Sequence, residues 1–359
     1  MANQNFGVGP SALFPGLDGK LVEIIRSGIL EKSHRSPEFS EMSEKTIAAL
    51  RRFLRIPESY KIFYTASATE AMQISLQNGV QKKSVHFSTG AFGRKWAKIA
   101  KNCGIDAAHF PAEFGERASL DEIFSKTPAD AEGIFLTGSE TTTGAGFSPE
   151  EISEIRAKFP EKFLALDATS AAGAIDFEIK NVDVFLFSIQ KCFGVPSGLG
   201  ILICSPRFFA AAEERNFVGH FHNLPAMVPR MSAKFQTLET PPVFQIAALR
   251  AVIELIEAQI GDLKKCAKFT REKFEILENF FDAADDFEIL VSEKKFRSPT
   301  ILVAKTAPEK VAEIHEKAKA EEFFFASGYG DLKKETFRLA NFLASGKSDF
   351  EKVCEFLKK

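Results

Sequence analysis

Apolar residues recur along the chain in two rhythms. Between residue 37 and about residue 257, runs of five to seven mostly apolar positions alternate with longer stretches in which apolar residues return every three or four. The first rhythm is that of a strand buried on both faces, the second that of an amphipathic helix. Their alternation predicts a mostly parallel sheet covered by helices. The strands read at 61–65, 84–88, 133–137, 163–167, 182–188 and 199–204. Ser36-Pro37, a side-chain cap before a first-turn proline, predicts a helix running toward Ile56-Pro57. Ser67 opens the next helix. After Pro241-Pro242 the pattern is helical from about 244 to 283, with a break near Gly261. Strands at 287–291, 300–304 and about 337–340, with a helix over 308–322, read as a smaller α+β unit. The expectation is an α/β chain with a large domain over 17–257 and a small domain built from 1–16 and 258–359.

Composition narrows the partners. The 46 Lys and Arg against 48 Asp and Glu leave a net charge of −2, too little for a sequence-wide field toward nucleic acid or an anionic membrane. No apolar run approaches the ~18 residues that span a bilayer, and no basic and apolar leader opens the chain. Five scattered Cys, with no C-x-x-C pair and no His at metal-ligand spacing, read as reduced thiols rather than a metal site. A soluble cytoplasmic protein is expected. The 37 Phe against 3 Tyr and 1 Trp imply aromatic area with almost no polar handle, hence core.

Chemistry gathers at the carboxyl ends of the expected strands, where open α/β sheets bind ligands. The 163–167 strand ends in Asp167, and 24 positions later the run Val184-Phe185-Leu186-Phe187-Ser188-Ile189-Gln190-Lys191 ends in a lysine. The pair reads equally as a salt bridge or as an acid and amine with a ligand between them. Gly194, Pro196, Gly198 and Gly200 favour the second reading, because they let the backbone fold closely beside the amine. The turn Thr65-Ala66-Ser67-Ala68-Thr69 is either an ordinary helix cap or an anion cradle of unpaired N–H groups. A phosphate cradle, an amine and a carboxylate on one sheet edge describe a site for pyridoxal phosphate, whose aldehyde needs a lysine and whose ring nitrogen needs an acid.

The run 183–191 followed by Gly198-Leu199-Gly200 resembles the lysine signature of the class V aminotransferases, which have the type I pyridoxal-phosphate fold. Ile189 departs from it, standing where a small residue is usual. Phe6-x-x-Gly9-Pro10, Ser33-His34-Arg35-Ser36-Pro37, Ser139-Glu140-Thr141, Asp167-Ala168-Thr169-Ser170, Gln190-Lys191 and Thr240-Pro241-Pro242 resemble the phosphoserine aminotransferases of that class over nearly the whole chain. The resemblance implies that Lys191 bonds the cofactor aldehyde and shuttles a proton, and that Asp167 pairs with the ring nitrogen. It implies Thr141 on the phenolic oxygen, and Ala68, Thr69 and Gln190 on the phosphate, with Thr240 reaching that phosphate across a homodimer. Phe92 takes the ring-stacking position, where Trp is common. Arg338 matches the clamp on the substrate α-carboxylate, and His34 and Arg35 match residues that meet its distal group. The implied reaction exchanges an amino group between L-phosphoserine and 2-oxoglutarate in serine synthesis. A His-Arg pair expected just before Arg338 is replaced by Gly328-Tyr329-Gly330-Asp331-Leu332-Lys333-Lys334, where Lys333 or Lys334 could substitute as a point charge. The cofactor turn likewise lacks an arginine. The alternatives are a small-amino-acid:glyoxylate or pyruvate aminotransferase of the same class and, further off, a cysteine desulfurase-like lyase.

Overall fold

The computed structural model describes residues 4–215 and 217–358. Twelve strands are present among them: β1 (Gln4–Phe6), β2 (Lys61–Thr65), β3 (Lys83–Ser88), β4 (Asp106–Pro111), β5 (Gly133–Thr137), β6 (Phe163–Asp167), β7 (Val184–Ser188), β8 (Gly200–Cys204), β9 (Glu288–Ile289), β10 (Ile301–Lys305), β11 (Phe323–Ser327) and β12 (Thr336–Ala340). Seven of them form one sheet in the order β2-β8-β7-β6-β5-β3-β4. All its pairings are parallel except those of β8, which runs antiparallel to both β2 and β7. Strands β5, β7 and β8 are buried throughout, which explains their unbroken apolar reading: helices cover both faces, so no alternation is needed. The edge strand β4 has no buried residue. Its weak apolar signal is why the sequence reading passed over it.

Register places the chemistry. Thr137 lies opposite Asp167, so the parallel strands end on one edge. Because β8 runs the other way, its first residue, Gly200, sits at that same edge, paired with Thr65 on one side and Ser188 on the other. A Cβ on Gly200 would lie 2.4 Å from Thr65 Oγ1 and 2.5 Å from the Ser67 carbonyl carbon. Only glycine lets the 65–69 turn and the lysine loop close on each other.

The second sheet has the order β1-β11-β12-β10-β9, and β1, from the start of the chain, adds to β11 in parallel. Its core is the Phe-rich part of the molecule: Phe6, Phe274, Phe281, Phe287, Phe325, Phe337, Phe350 and Phe356 are all buried in one cluster. The sequence reading found β10 and β12 but not β11, whose Phe323-Phe324-Phe325 follows the 308–320 helix with only two residues between. The expected 287–291 strand shrinks to the two residues of β9. The helical stretch after Pro242 divides as expected, into Val243–Gln259 and Leu263–Ala283, with Gly261 at φ 119° in the break. Among the described residues no helix is long and apolar enough to cross a membrane, and no three His, Cys, Asp or Glu gather as for a metal ion.

Candidate active site

β7 stops at Ser188, so Lys191 lies three residues past the strand, in the loop toward Gly194. Its backbone is tied down from the other end of the chain. The Ser11 amide donates to the Gln190 carbonyl at 3.0 Å and the Ser11 hydroxyl to the Lys191 carbonyl at 2.8 Å. A Cβ on Gly9 would meet Lys191 Cε at 3.0 Å, so the N-terminal segment lies directly on the lysine stem. The glycine-rich loop after Lys191 folds closely as expected, but against protein: Gly194 packs on the backbone of Ala12 and Phe14, and Gly198 on Gln245.

The Lys191 amine is buried and donates to Thr141 Oγ1 at 2.6 Å and Ser170 Oγ at 3.0 Å, while those two hydroxyls stand 2.7 Å apart. Burial pushes its pKa down to about 8, opposed by the negative charges of Asp167 and Glu140. Asp167 is also buried, and burial raises its carboxyl. Against that rise work hydrogen bonds to Oδ1 from the Thr169 amide at 2.9 Å and hydroxyl at 2.5 Å, and then the charges of Lys191 and Lys95. The hydrogen bonds of Asp167 engage Oδ1 alone among the described residues, which leaves Oδ2 to accept from a ligand. Acid and amine therefore do not form a direct ion pair, and a ligand between them suits the geometry better than a salt bridge.

Arg338 in β12 is held from two sides, its Nε donating to the Ser327 carbonyl at 2.8 Å and its Nη1 to the Thr141 carbonyl at 3.1 Å. The second contact couples the small sheet to the residue that touches Lys191. Phe92 begins the helix Ala91–Asn102, and Lys191 Nζ lies 5.0 Å from its ring centroid. That ring is aimed by Glu140, a fully buried carboxylate. Glu140 Oε2 accepts from the Phe92 and Gly93 amides at 3.1 and 3.2 Å, and Oε1 from the Thr142 amide and hydroxyl at 3.1 and 2.8 Å. Burial nevertheless raises its pKa. Glu140, Ser170 and Ser11 were quoted or passed over in the sequence without a role. The local signal is that Glu140 adjoins Thr141, while Ser170 and Ser11 lie within three residues of Asp167 and Gly9 in the quoted motifs.

At the 65–69 turn the cap reading holds in part. Ser67 caps the helix Ala68–Gly79 by accepting from the Glu70 amide, and the Ala68 amide donates to Ser188 Oγ at 2.7 Å. Thr69 is exposed, and its amide and hydroxyl are without a hydrogen-bond partner among the described residues, so it keeps donors for an anion. Glu70 in the same turn is spoken for: it accepts from the Ala66 amide and pairs with His222 Nε2 at 2.9 Å. Gln190 is half-buried beside Lys191. Thr240 is exposed and shares a cavity with Thr65, Ala66 and Glu70 of its own chain.

His34 and Arg35 form a separate group. Arg35 donates from Nη1 to the Thr237 carbonyl and from Nη2 to the Leu238 carbonyl at 2.9 Å, so it pins the segment that carries Thr240. Burial and then the Arg35 charge lower the His34 pKa. Among the described residues no contact joins this group to Lys191, Asp167 or Arg338. Lys333 and Lys334 are exposed on the turn Gly330–Lys334, whereas Tyr329 before them faces the site: its ring lies 6.3 Å from that of Phe92 and 5.9 Å from the Arg338 guanidinium.

Relatives share this framework end to end. A phosphoserine aminotransferase of Corynebacterium glutamicum is 28% identical over 97% of this chain and 92% of its own. The crystal structure of a phosphoserine aminotransferase from Cytophaga hutchinsonii superposes with a TM-score of 0.93 at 32% identity, over 100% of this chain and 99% of that one. A pyridoxal-phosphate-bound phosphoserine aminotransferase from Trichomonas vaginalis has the same fold, with a TM-score of 0.85 at 20% identity and full coverage of both chains. Residues 23–321 match the family model described as aminotransferase class-V, and the chain, with its buried lysine and acid on one sheet edge, belongs to the class V aminotransferases.

Proposed function

We propose that this aminotransferase uses pyridoxal phosphate to exchange an amino group between L-phosphoserine and 2-oxoglutarate, as a homodimer. One observation carries the reading: a buried, hydrogen-bonded Lys191 amine between an acid with a free oxygen, Asp167, and a fixed guanidinium, Arg338. Full-length similarity to phosphoserine aminotransferases supports the choice of substrate.

The residues present fit the cofactor. Lys191 Nζ would hold its aldehyde, Asp167 Oδ2 would accept from its ring nitrogen, and the Thr141 hydroxyl would meet its phenolic oxygen. Thr69 and Gln190 would cradle the phosphate, the Ala68 amide expected there being engaged by Ser188 Oγ, with Thr240 of a second copy completing the cradle, and the Phe92 ring would cover one face. When bound, pyridoxal phosphate supplies a carbonyl that captures the substrate amine and a protonated ring that accepts electron density from Cα. The protein does the rest. Arg338 orients the substrate through its α-carboxylate with the donors that Ser327 and Thr141 leave free. Lys191 Nζ takes the Cα proton and returns it, a task suited to an amine whose burial leaves a sizeable neutral fraction near neutral pH. Thr141 and Ser170 hold Nζ in place between the two transfers. His34 and Arg35 of a second copy would meet the distal group.

The observation favouring a small-amino-acid donor is the 328–334 loop, where Tyr329 and two exposed lysines stand in place of a His-Arg pair. A lyase acting through a cysteine has less support, because burial pushes the Cys354 thiol up to about 11. The deciding experiment mixes the yellow holoenzyme with each amino acid and follows loss of visible absorbance. Phosphoserine is expected to bleach it faster than alanine or serine; equal or slower conversion removes phosphoserine as the donor.

A further inference from the structure

Building on that reading of the site, we propose that Lys95 is a specificity-determining residue, the cation supplied by the same chain that meets the distal anionic group of the substrate. Lys95 follows Phe92 by three residues on the helix Ala91–Asn102, so the two side chains share a face. Its Nζ stands 4.9 Å from the Phe92 ring centroid, and Lys191 Nζ stands 5.0 Å from the same centroid. Both ammonium groups thus flank one ring, which puts Lys95 beside the site that Lys191 occupies.

Lys95 is half-buried, yet it makes no hydrogen bond or ion pair among the described residues. Its neighbour Arg94 differs, donating to the Ala112 carbonyl at 2.8 Å and stacking 5.1 Å from the Phe114 ring. An ammonium on a half-buried residue, without an anion of its own, is a ready place for one brought from outside. Its charge already acts on the site, since it helps hold the Asp167 carboxyl down against burial.

Three cations frame the adjoining rings of Phe92 and Tyr329: Lys191, Arg338 and Lys95. The substrate amine occupies Lys191 and its α-carboxylate Arg338, which leaves the third charge for a third substituent. Alanine has none. Phosphoserine and glutamate both have one, a phosphate and a carboxylate of different shape. An ammonium on a flexible stem serves both, because it offers a point charge with rotatable donors and no fixed fork. Arg35 is less free for this work, since one donor of each of its Nη groups already goes to a carbonyl of its own chain.

The test uses single-turnover bleaching of the holoenzyme by phosphoserine, glutamate and alanine, in the native protein, Lys95→Gln and Lys95→Arg. Lys95→Gln is expected to raise the half-saturating concentration of phosphoserine and glutamate about 10- to 100-fold, the range for a hydrogen bond to a charged group. Alanine keeps its half-saturating concentration, any loss of limiting rate that reaches the site through Asp167 falls equally on all three amino acids, and Lys95→Arg recovers most of the loss in half-saturation. Equal losses on all three amino acids would mark a disturbed fold or cofactor site and overturn the assignment. So would a glutamate-to-alanine preference that Lys95→Gln leaves intact, whatever happens with phosphoserine. A native enzyme that prefers alanine to phosphoserine defeats the substrate reading instead, and the glutamate-to-alanine preference still decides Lys95.

Discussion

Lys273 is a lysine with no access to water. It sits in the helix Leu263–Ala283, and its Nζ donates to the Phe342 carbonyl at 2.6 Å and the Ser345 carbonyl at 2.9 Å. Both acceptors lie on the segment that leaves β12 just after Arg338, so this amine anchors the strand carrying the carboxylate clamp. Burial pushes its pKa from the usual 10.5 down to about 7. Between those values the folded chain holds the neutral amine while the unfolded chain holds the ammonium, so unfolding takes up a proton. Raising the pH through this window therefore stabilises the fold, by up to about 1.4 kcal/mol per pH unit. Summed over the window, that is about 5 kcal/mol. Below pH 7 both states carry the proton and the slope disappears. Lys273→Met keeps most of the stem and removes the titration, leaving the buried Phe342 carbonyl unpaired at about 1–3 kcal/mol and the part-buried Ser345 carbonyl at less. Urea midpoints of the native protein and Lys273→Met, taken at pH 6, 7, 8 and 9, give the difference directly, since all other titrating groups cancel. The native protein should gain on the variant steadily above pH 7. Parallel curves from pH 6 to 9 would refute the argument, because they would mean that Lys273 binds its proton equally in both states.

Other consequences are open to measurement. Asp167→Asn keeps an acceptor for Thr169 but removes the charge that balances a protonated ring nitrogen, so the variant should still bind pyridoxal phosphate while turnover falls about 100-fold or more; an unchanged rate would strip Asp167 of its role. The apoprotein should recapture pyridoxal phosphate faster as the pH rises through about 8, following the neutral fraction of Lys191, and a rate that climbs only near pH 10.5 would mean an amine without the burial described. Gly200→Ala should weaken cofactor binding and lower stability by about 1–3 kcal/mol, as expected for overpacking, because its Cβ has to displace Thr65 and Ser67. A variant of native stability and affinity would show that the turn yields freely.

What could be read in the sequence follows from how local each signal is. β5, β6 and β7 announce themselves because burial on both faces makes a strand apolar without interruption, and the residues that follow them fall at the sheet edge by topology alone. Lys191 and Asp167 were therefore legible as neighbours. Ser170 and Glu140 were not, since a hydroxyl near Nζ and a carboxylate on the Phe92 amide arise from loops meeting across tens of residues of sequence. Arg35 shows the opposite difficulty. Its motif is distinctive, but nothing along the chain foretells that its donors are engaged by carbonyls about two hundred positions away. Tyr329 and Lys95 had no motif, only proximity to residues that did. Phe92 could be picked from 37 phenylalanines only through the resemblance, because composition assigns every one of them to core.

The N-terminal segment has a consequence for how the molecule is made. Gln4 to Phe6 pair with β11 at residues 323–325, while Ser11 grips the backbone of Lys191. During synthesis residues 4–6 thus have no strand to join until residues 323–325 have emerged. Until then Arg338 does not yet exist either. Such long-range closure is slow to form. The large sheet can assemble on the growing chain, with every residue assigned to the cofactor already in it, so a ribosome-bound chain ending before β11 should fold that core and yet lack the clamp for the substrate carboxylate.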